Sequence, residues 1–242
     1  MTSVHRSVQP SEHWSVVVPV KRFSHAKLRL TDGLAPLARE EVARAFALDT
    51  LHVLAQLPAI SRILVVTDFS EESFPLPERA QLLVQRSPGL NSAIREGIRG
   101  VRAADPATPT LIIVADLPTL RADHLEAALA AAGQVLPRVV VDASGTGTTA
   151  LTIPPGGETQ PSFGTDSARR HRRSGYTELR LPRGNTLRCD VDTLEDLLAA
   201  QAVGCGPNTR QALRRWELDR PNPVPATRHV SQSHRGGKSR AE

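Results

Sequence analysis

Cysteine is scarce. Cys189 and Cys205 are the two in 242 residues, and their spacing makes neither a metal-ligand motif nor a disulfide framework. That excludes a small stapled secreted scaffold and agrees with a reducing cytoplasm. Aromatic residues make up 3% of the chain, so stacking platforms for single-stranded nucleic acid are few. No apolar run is long enough to cross a bilayer and no leader pattern is present, which predicts a soluble, unexported, cytoplasmic protein. Neither G-x-G-x-x-G nor G-x-x-x-x-G-K-S/T occurs, which removes the standard dinucleotide and P-loop fingerprints.

With 40% hydrophobic residues the chain can bury one substantial core, and a single domain over 14–218 is the simplest division. The isoelectric point near 10.0 suggests a basic nucleic-acid-binding module, but the charge is unevenly placed. From Asp219 onward five Lys/Arg stand against two acids, which is +3 of the formal +5 and leaves +2 for the rest. The Pro-, Ser- and Gly-rich stretch 219–242 has too few apolar residues to fold and is expected to be a disordered basic tail. Residues 1–13 are polar and expected to be a flexible N-terminus.

The informative feature is a set of short apolar runs that end on acids. Thr110 to Leu120, TLIIVADLPTL, runs through five apolar residues into Asp116, and Pro118 stops the pattern. Such a run predicts a central strand of a parallel sheet, whose two covered faces remove the need for alternation. The ligand crevice of an open α/β sheet lies outside the carboxyl ends of its strands. Asp116 therefore stands where a metal or substrate would be met, or else it caps the next turn. Leu187 to Asp192, LRCDVD, has the same form, and alternation puts Asp190 and Asp192 on one side. Asp192-x-x-Glu195 also reads as a capping box, so Asp192 can simply start the following helix, whereas Asp190 has no such explanation. Carboxylates from separate strand ends are what Mg²⁺ asks of a protein when phosphate oxygens and water complete its octahedron.

Along the chain, Trp14 to Val20 reads as the first strand. The loop after it holds Lys21, Arg22, Lys27 and Arg29, which either bind nucleotide phosphates or form a solvated basic loop. Leu37 to Leu57 predicts a long helix, Ile60 to Thr67 a strand and Gln81 to Val84 a short one. Asn91 is placed as an N-cap ahead of Ile94, Ile98 and Val101. Ala122 to Ala132 predicts a helix, and Val139 to Val141 a strand ending at Asp142. In Gly145-Thr146-Gly147-Thr148-Thr149, alternating Gly and Thr let backbone N–H groups and hydroxyls approach an anion. Phe163-Gly164-Thr165-Asp166-Ser167 opens a helix over Ala168 to Ser174 that Gly175 ends, and a helix N-terminus suits a phosphate or carboxylate. Arg169, Arg170, His171, Arg172 and Arg173 read as a partly solvated basic face. The alternation of strand and helix predicts an α/β protein, a three-layer α/β/α sandwich with a mostly parallel sheet.

Taken together, several pieces resemble the phosphoenolpyruvate and 2-phospholactate guanylyltransferases of deazaflavin-coenzyme biosynthesis, from about Trp14 to Arg214. They are Val20-Lys21-Arg22 with Ala26-Lys27-x-Arg29-Leu30, Gly89-Leu90-Asn91, Asp116-Leu117-Pro118 and Gly145-Thr146-Gly147-Thr148. Phe163-Gly164-x-Asp166-Ser167, His171 with Ser174-Gly175, and Leu187-Arg188-Cys189-Asp190-Val191-Asp192-Thr193 complete the set. The resemblance implies a Rossmann-like nucleotidyltransferase fold, GTP as donor, Mg²⁺ as cofactor and a phosphorylated three-carbon acid as acceptor. It further implies the next transferase of the pathway as a protein partner, with no nucleic acid and no membrane. By motif, Asp116, Asp190 and Asp192 would hold metal, and Thr148, Gly164 and Ser167 would grip the acceptor. Lys21 would sit by the triphosphate as a catalytic cation, and Lys27, Arg29 and Asn91 would contact nucleotide. Thr149 follows Thr148 directly, so the gripping hydroxyl could be either. The Gly-Thr-Gly-Thr and Arg-Cys-Asp-Val-Asp forms are nearer to the phosphoenolpyruvate members. A related transferase acting on a pterin or sugar phosphate is the alternative.

The implied chemistry suits this inventory. A phosphate monoester has a second pKa of about 6, so the acceptor is already an ionised nucleophile near neutral pH. No protein base is needed, in keeping with the lack of any Ser-His-Asp or Cys-His arrangement. The obstacle is repulsion between two anions, which metal and cations offset.

Overall fold

The computed structural model describes residues 13–27, 30, 34–69, 74–157 and 160–218. Arg29, residues 1–12 of the N-terminus expected to be loose, and the tail 219–242 expected to be disordered lie outside them.

The chain enters the sheet at β1, Trp14–Val20, where every residue is buried, as a strand covered on both faces must be. A 3-10 turn at Phe23–His25 leads to α1, Pro36–Gln56, which starts on a proline, whose missing N–H costs nothing in a first turn. Next come β2, Ile60–Thr67, β3, Ala80–Val84, and α2, Leu90–Ala104. The acid-ended strand is β4, Thr110–Ile113, followed by α3, Ala122–Ala132. A hairpin of β5, Arg138–Val141, and β6, Thr148–Ile153, precedes α4, Ser167–Arg173, and the short β7, Thr177–Glu178. A 3-10 turn at Thr186–Arg188 leads to α5, Leu194–Val203, and α6, Pro207–Arg215.

The seven strands form one sheet in the order β3-β2-β1-β4-β6-β5-β7. All neighbours are parallel except at β6, which runs against both β4 and β5. The expected mostly parallel α/β/α sandwich is what forms. One face packs α1 and α3 against Val16, Val18, Ile63 and Ile113. The other packs α2 and α4 against Val17, Val66, Ile112 and Leu151. A third cluster joins α1 to α5 and α6 through Val42, Phe46, Leu197 and Leu213.

Two features of this topology open a crevice. The chain winds outward from β1 to β2 and β3, then returns to place β4 on the other side of β1, so β1 and β4 flank the switch point. Pro19 then keeps them apart. The Ser15 N–H points to the β4 side, where it meets Pro109 O at 3.0 Å, and alternate residues of a strand repeat that direction. Pro19 would be next to donate there after Val17, the last β1 residue paired with β4, and it has no N–H.

The α6 helix is held by a buried carboxylate from α1. Asp49, 4% exposed, accepts from the backbone N–H groups of Asn208 at 3.0 Å and Thr209 at 2.9 Å and from Asn208 Nδ2 at 2.8 Å. It thus serves a helix start whose own N-cap, Gly206, has no side chain to do so. Asp49→Ala leaves those donors buried and unmet. It is expected to cost about 3 kcal/mol in urea denaturation, and a loss under about 0.5 kcal/mol would refute this account.

Candidate active site

Asp116 is positioned from three directions. The Thr50 hydroxyl of α1 lies 3.2 Å from Ala115 O and accepts from Leu117 N at 3.3 Å. Gly206 N donates to Pro118 O at 2.8 Å, and Val191 N donates to Asp116 O at 3.1 Å. That last bond joins the two acidic segments. Val191 is buried in the third cluster, which turns its neighbours Asp190 and Asp192 the other way, to the side of Asp116. The expected alternation therefore holds. Asp192 does not cap the helix. Thr193 is the N-cap, accepting from Asp196 N, while Asp196 answers to the Thr193 N–H as the capping box requires. The sequence pattern was displaced by one residue, because the Thr-x-x-Asp pair satisfies the same geometry as Asp-x-x-Glu.

Lys27 stands between two of the carboxylates. Its ammonium pairs with Asp116 Oδ2, and with Asp192 Oδ1 at 2.8 Å. The Lys27 side chain is 9% exposed, Asp116 26% and Asp192 50%. Burial alone would push the ammonium down, but the Asp116 and Asp192 charges and hydrogen bonds more than offset it and hold it above its ordinary value. Lys27 also has φ 53°, a left-handed backbone that costs a lysine of order 1 to 2 kcal/mol and that the ion pairs help to hold.

Asp190 has the opposite lot. Burial first, and then the charges of Asp116, Asp192 and Asp142, raise its carboxyl well above the usual carboxylate range, with Lys27 only partly offsetting them. Asp142, which ends β5, was read only as a strand end, and the fold brings it into this group. One oxygen of Asp116, Oδ1, is buried without a hydrogen-bond partner. The three expected metal ligands do not converge: among the described residues no three His, Cys, Asp or Glu side chains could hold a metal ion together. Two carboxylates do fit Mg²⁺, which takes one or two from the protein and the remainder from substrate phosphate and water. The unpartnered Asp116 Oδ1 and the crowded Asp190 carboxylate are two that could serve in this way.

Beside these acids lies a cleft of about 290 Å³ lined by Pro19, Val20, Lys21, Lys27, Asp116 and Asp192, among others. A second, of about 190 Å³, shares Pro19, Val20, Lys21 and Leu90 and extends to Asp68, Gln85 and Gly89. Lys21 thus borders both, at the switch point.

The Gly-Thr hairpin loop is not an open anion nest. The Asp142 carboxylate already accepts from the backbone N–H groups of Gly145 at 2.7 Å, Thr146 at 3.0 Å and Gly147 at 2.9 Å. A Cβ on Gly147 would run into that carboxylate, which is why glycine stands there. The start of α4 is similarly engaged, since Ser167 N donates to Gly164 O at 3.0 Å and Ala168 N to Thr146 O at 3.1 Å. With the Thr148–His171 contact, these bonds tie the start of β6 to α4 at the carboxyl end of the sheet. Gly164 has φ 112°, which suits glycine. Asn91 lies inside α2 and does not cap it, Gly89 being the N-cap. Its side chain accepts from Phe163 N at 2.9 Å and donates to Phe163 O at 3.1 Å, so it supports the Gly164 loop.

The arginines of α4 are largely occupied within the fold. Arg169 pairs with Asp166 at 3.1 Å, Arg172 with Glu178 at 2.6 Å, and Arg170 Nη2 donates to Ser162 O at 2.9 Å. No helix among the described residues is long and apolar enough to cross a membrane.

A mostly parallel sheet with a switch-point crevice, a lysine on its rim and carboxylates at its strand ends suits an enzyme that acts on nucleotides. The chain belongs to the family described as guanylyl transferase CofC like, whose model matches residues 14–232. It is 44% identical over 198 residues to the phosphoenolpyruvate guanylyltransferase of Streptomyces coelicolor, covering 81% of this chain and 93% of that one. It is 41% identical over 208 residues to the protein of the same name from Streptomyces scabiei, covering 84% and 96%. Among solved structures it is similar to a protein of Desulfovibrio desulfuricans G20 described as a nucleotide-diphospho-sugar transferase. That match has a TM-score of 0.66 at 17% identity, over 86% of this chain and 96% of the other. A 4-diphosphocytidyl-2C-methyl-D-erythritol synthase aligns with a TM-score of 0.54 at 10% identity, over 80% and 99%. These two likenesses establish the fold. The chain is accordingly an enzyme, a nucleotidyltransferase.

Proposed function

We propose that the protein transfers the GMP moiety of GTP to phosphoenolpyruvate with Mg²⁺ as cofactor, giving enolpyruvyl-2-diphospho-5'-guanosine and pyrophosphate. The step belongs to deazaflavin-coenzyme biosynthesis in the cytoplasm, and the activated product passes to the next transferase of that pathway. The observation that carries this reading is the group of Lys21, Lys27, Asp116 and Asp190 at the switch point, in a chain whose relatives bear that enzyme's name.

A phosphate oxygen of the acceptor attacks the α-phosphorus of GTP in line, and the bond to the β-phosphate breaks as pyrophosphate leaves. The nucleophile is ionised before it binds, so no side chain has to take a proton from it. Lys21 faces the triphosphate from the rim of both clefts. Lys27, held between Asp116 and Asp192, sets a positive charge deeper in the crevice, where two anions must approach. Asp116 and Asp190 would hold Mg²⁺, which would supply positive charge to offset that of the phosphates. The Thr148 and Ser167 hydroxyls take the acceptor anion, a role suited to side chains because the neighbouring N–H groups are already committed.

Pyrophosphate release with each of the four NTPs and with phosphoenolpyruvate or 2-phospholactate tests the reading. GTP with phosphoenolpyruvate is expected to give the highest kcat/KM. The two acids share their anionic groups and differ in shape at one carbon, so 2-phospholactate should be used more slowly, by about ten- to a hundredfold. An advantage for 2-phospholactate would reassign the substrate, and no release with any pair would refute the activity. Ser167→Ala should raise KM for the acid by about tenfold with KM for GTP unchanged, because it removes a donor to the acceptor alone. An unchanged acid KM would remove Ser167 from the grip.

A further inference from the structure

The Thr148 hydroxyl is aimed by a residue that cannot itself reach a ligand. His171 has no exposed surface. Its Nε2 accepts from the Ser162 N–H at 3.0 Å, and its Nδ1 lies 3.0 Å from Thr148 Oγ1. A backbone N–H can only donate, so Nε2 carries no proton, and in the neutral ring the proton sits on Nδ1 and is donated to Thr148. The rings of Phe163 and Tyr176 pack against the imidazole with centroids 5.1 and 5.4 Å away, which leaves it no room to turn over. Burial, and after it the Arg170 charge, holds its pKa down to about 4, so this single tautomer persists at neutral pH.

The consequence falls on Thr148. A hydroxyl has one proton, and with an oxygen lone pair facing His171 that proton must point elsewhere. Among the described residues no acceptor for it is present. A bulge delivers the side chain to this place: Val140 pairs with Ala150 but Val141 pairs with Thr148, so two β6 residues oppose one. Bulges re-aim side chains next to active sites. Thr148 thereby reaches His171, while the Thr149 hydroxyl is buried with no partner. Thr148 is 7% exposed, at the end of the sheet where Val114 N, two residues before Asp116, donates to Thr149 O at 3.0 Å.

We propose that His171 is a positioning residue for the acceptor: by donating Nδ1–H to Thr148 Oγ1 it directs the Thr148 proton into the crevice, where it meets an anionic oxygen of the substrate acid. The proposal rests on the reading of Thr148 as part of the acceptor grip. It separates the two adjacent threonines, giving Thr148 the contact and Thr149 none.

A double-mutant cycle tests it, with KM measured separately for the acid and for GTP. Thr148→Val should raise the acid KM by about tenfold and leave that for GTP alone. His171→Gln, whose amide oxygen can still accept from Ser162 but which places no donor at Thr148, should raise it to a similar extent. The double variant should be no worse than Thr148→Val alone, since both remove one interaction. His171→Asn puts an amide donor at the Nδ1 position and should restore the acid KM towards wild type, which a merely structural role would not predict. An unchanged acid KM in His171→Gln, or effects that multiply in the double variant, would overturn the proposal while leaving the grip intact. An unchanged acid KM in Thr148→Val would refute the grip and this inference with it. If His171→Gln does not fold, His171→Asn decides, a tenfold rise in acid KM counting against the proposal. Thr148→Ser keeps the hydroxyl and should stay near wild type.

Discussion

Asp190→Asn is expected to lower kcat on the order of a thousandfold and at the same time to stabilise the folded protein. The two effects have one origin. Asp190 is half-buried beside Asp116, Asp192 and Asp142, and their charges add to the cost of ionising it. A neutral amide relieves that repulsion. With its partial exposure discounted, the gain should be on the order of 1 to 2 kcal/mol near neutral pH. Catalysis should move the other way, because under the proposed function Asp190 would hold Mg²⁺, which would supply several kcal/mol of charge stabilisation in the transition state. Asp116→Asn should lose activity to a similar extent but destabilise the fold, since it strips the buried Lys27 of one of its two anions. Asp192→Asn removes the half-exposed anion of that pair and leaves the Thr193 cap intact, so about a tenfold loss of kcat and little loss of stability is expected. Urea denaturation without metal, steady-state kinetics and Mg²⁺ titration of thermal stability would rank the three variants. An Asp190→Asn protein that turned over like wild type, or unfolded more readily, would refute the assignment.

Lowering the pH from about 6.5 to about 4 is expected to cost wild type on the order of 3 kcal/mol through His171 alone. In the unfolded chain this imidazole takes a proton near its ordinary 6.5, whereas in the fold it resists until about 4. Between those values the unfolded state binds more protons, so stability falls with falling pH, and below about 4 the slope from this group vanishes. The physical cause is burial of the imidazole and, after it, the Arg170 charge; a proton on Nε2 would in addition face the Ser162 N–H. Asp190, whose carboxyl is raised to about 7, works in the opposite sense over the whole of this window, gaining stability as it protonates. That term is common to wild type and His171→Asn, so the difference in urea stability between the two, measured at pH 7 and at pH 4.5, isolates the imidazole. The variant should be less stable than wild type at pH 7 and should recover most of the deficit at pH 4.5. A constant deficit at both values would show that His171 titrates normally in the fold.

The local signals and the long-range pairings divide cleanly in this protein. The apolar run before Asp116, the alternation around Val191 and the spacing of the α1 apolar residues are patterns within a few positions. Each reports which face a residue buries, so most strands and helices and the two acidic ends of the crevice are legible in the sequence, whereas β6, β7 and α6 are not. The family followed from the order of several such pieces. What the sequence left open was the partner each polar group would find. Lys27 lies 89 residues from Asp116 and 165 from Asp192, and nothing local distinguishes it from Lys21 or Arg22 as the cation that enters the crevice. The Gly-Thr loop looked free to receive an anion until the fold supplied Asp142, a carboxylate from its own strand end. Asn91 looked like a cap and became a brace for Phe163, because α2 and the loop before α4 meet only in three dimensions. Burial is written in periodicity, so the sequence carries the layers and the acids Asp116, Asp190 and Asp192 at strand or segment ends, while the strand order that makes the switch point came from the fold. Tertiary structure decided which of those charges are paired, which N–H groups are already satisfied and which way the Thr148 proton turns, because a polar side chain's role depends on the one partner that packing brings within 3 Å of it.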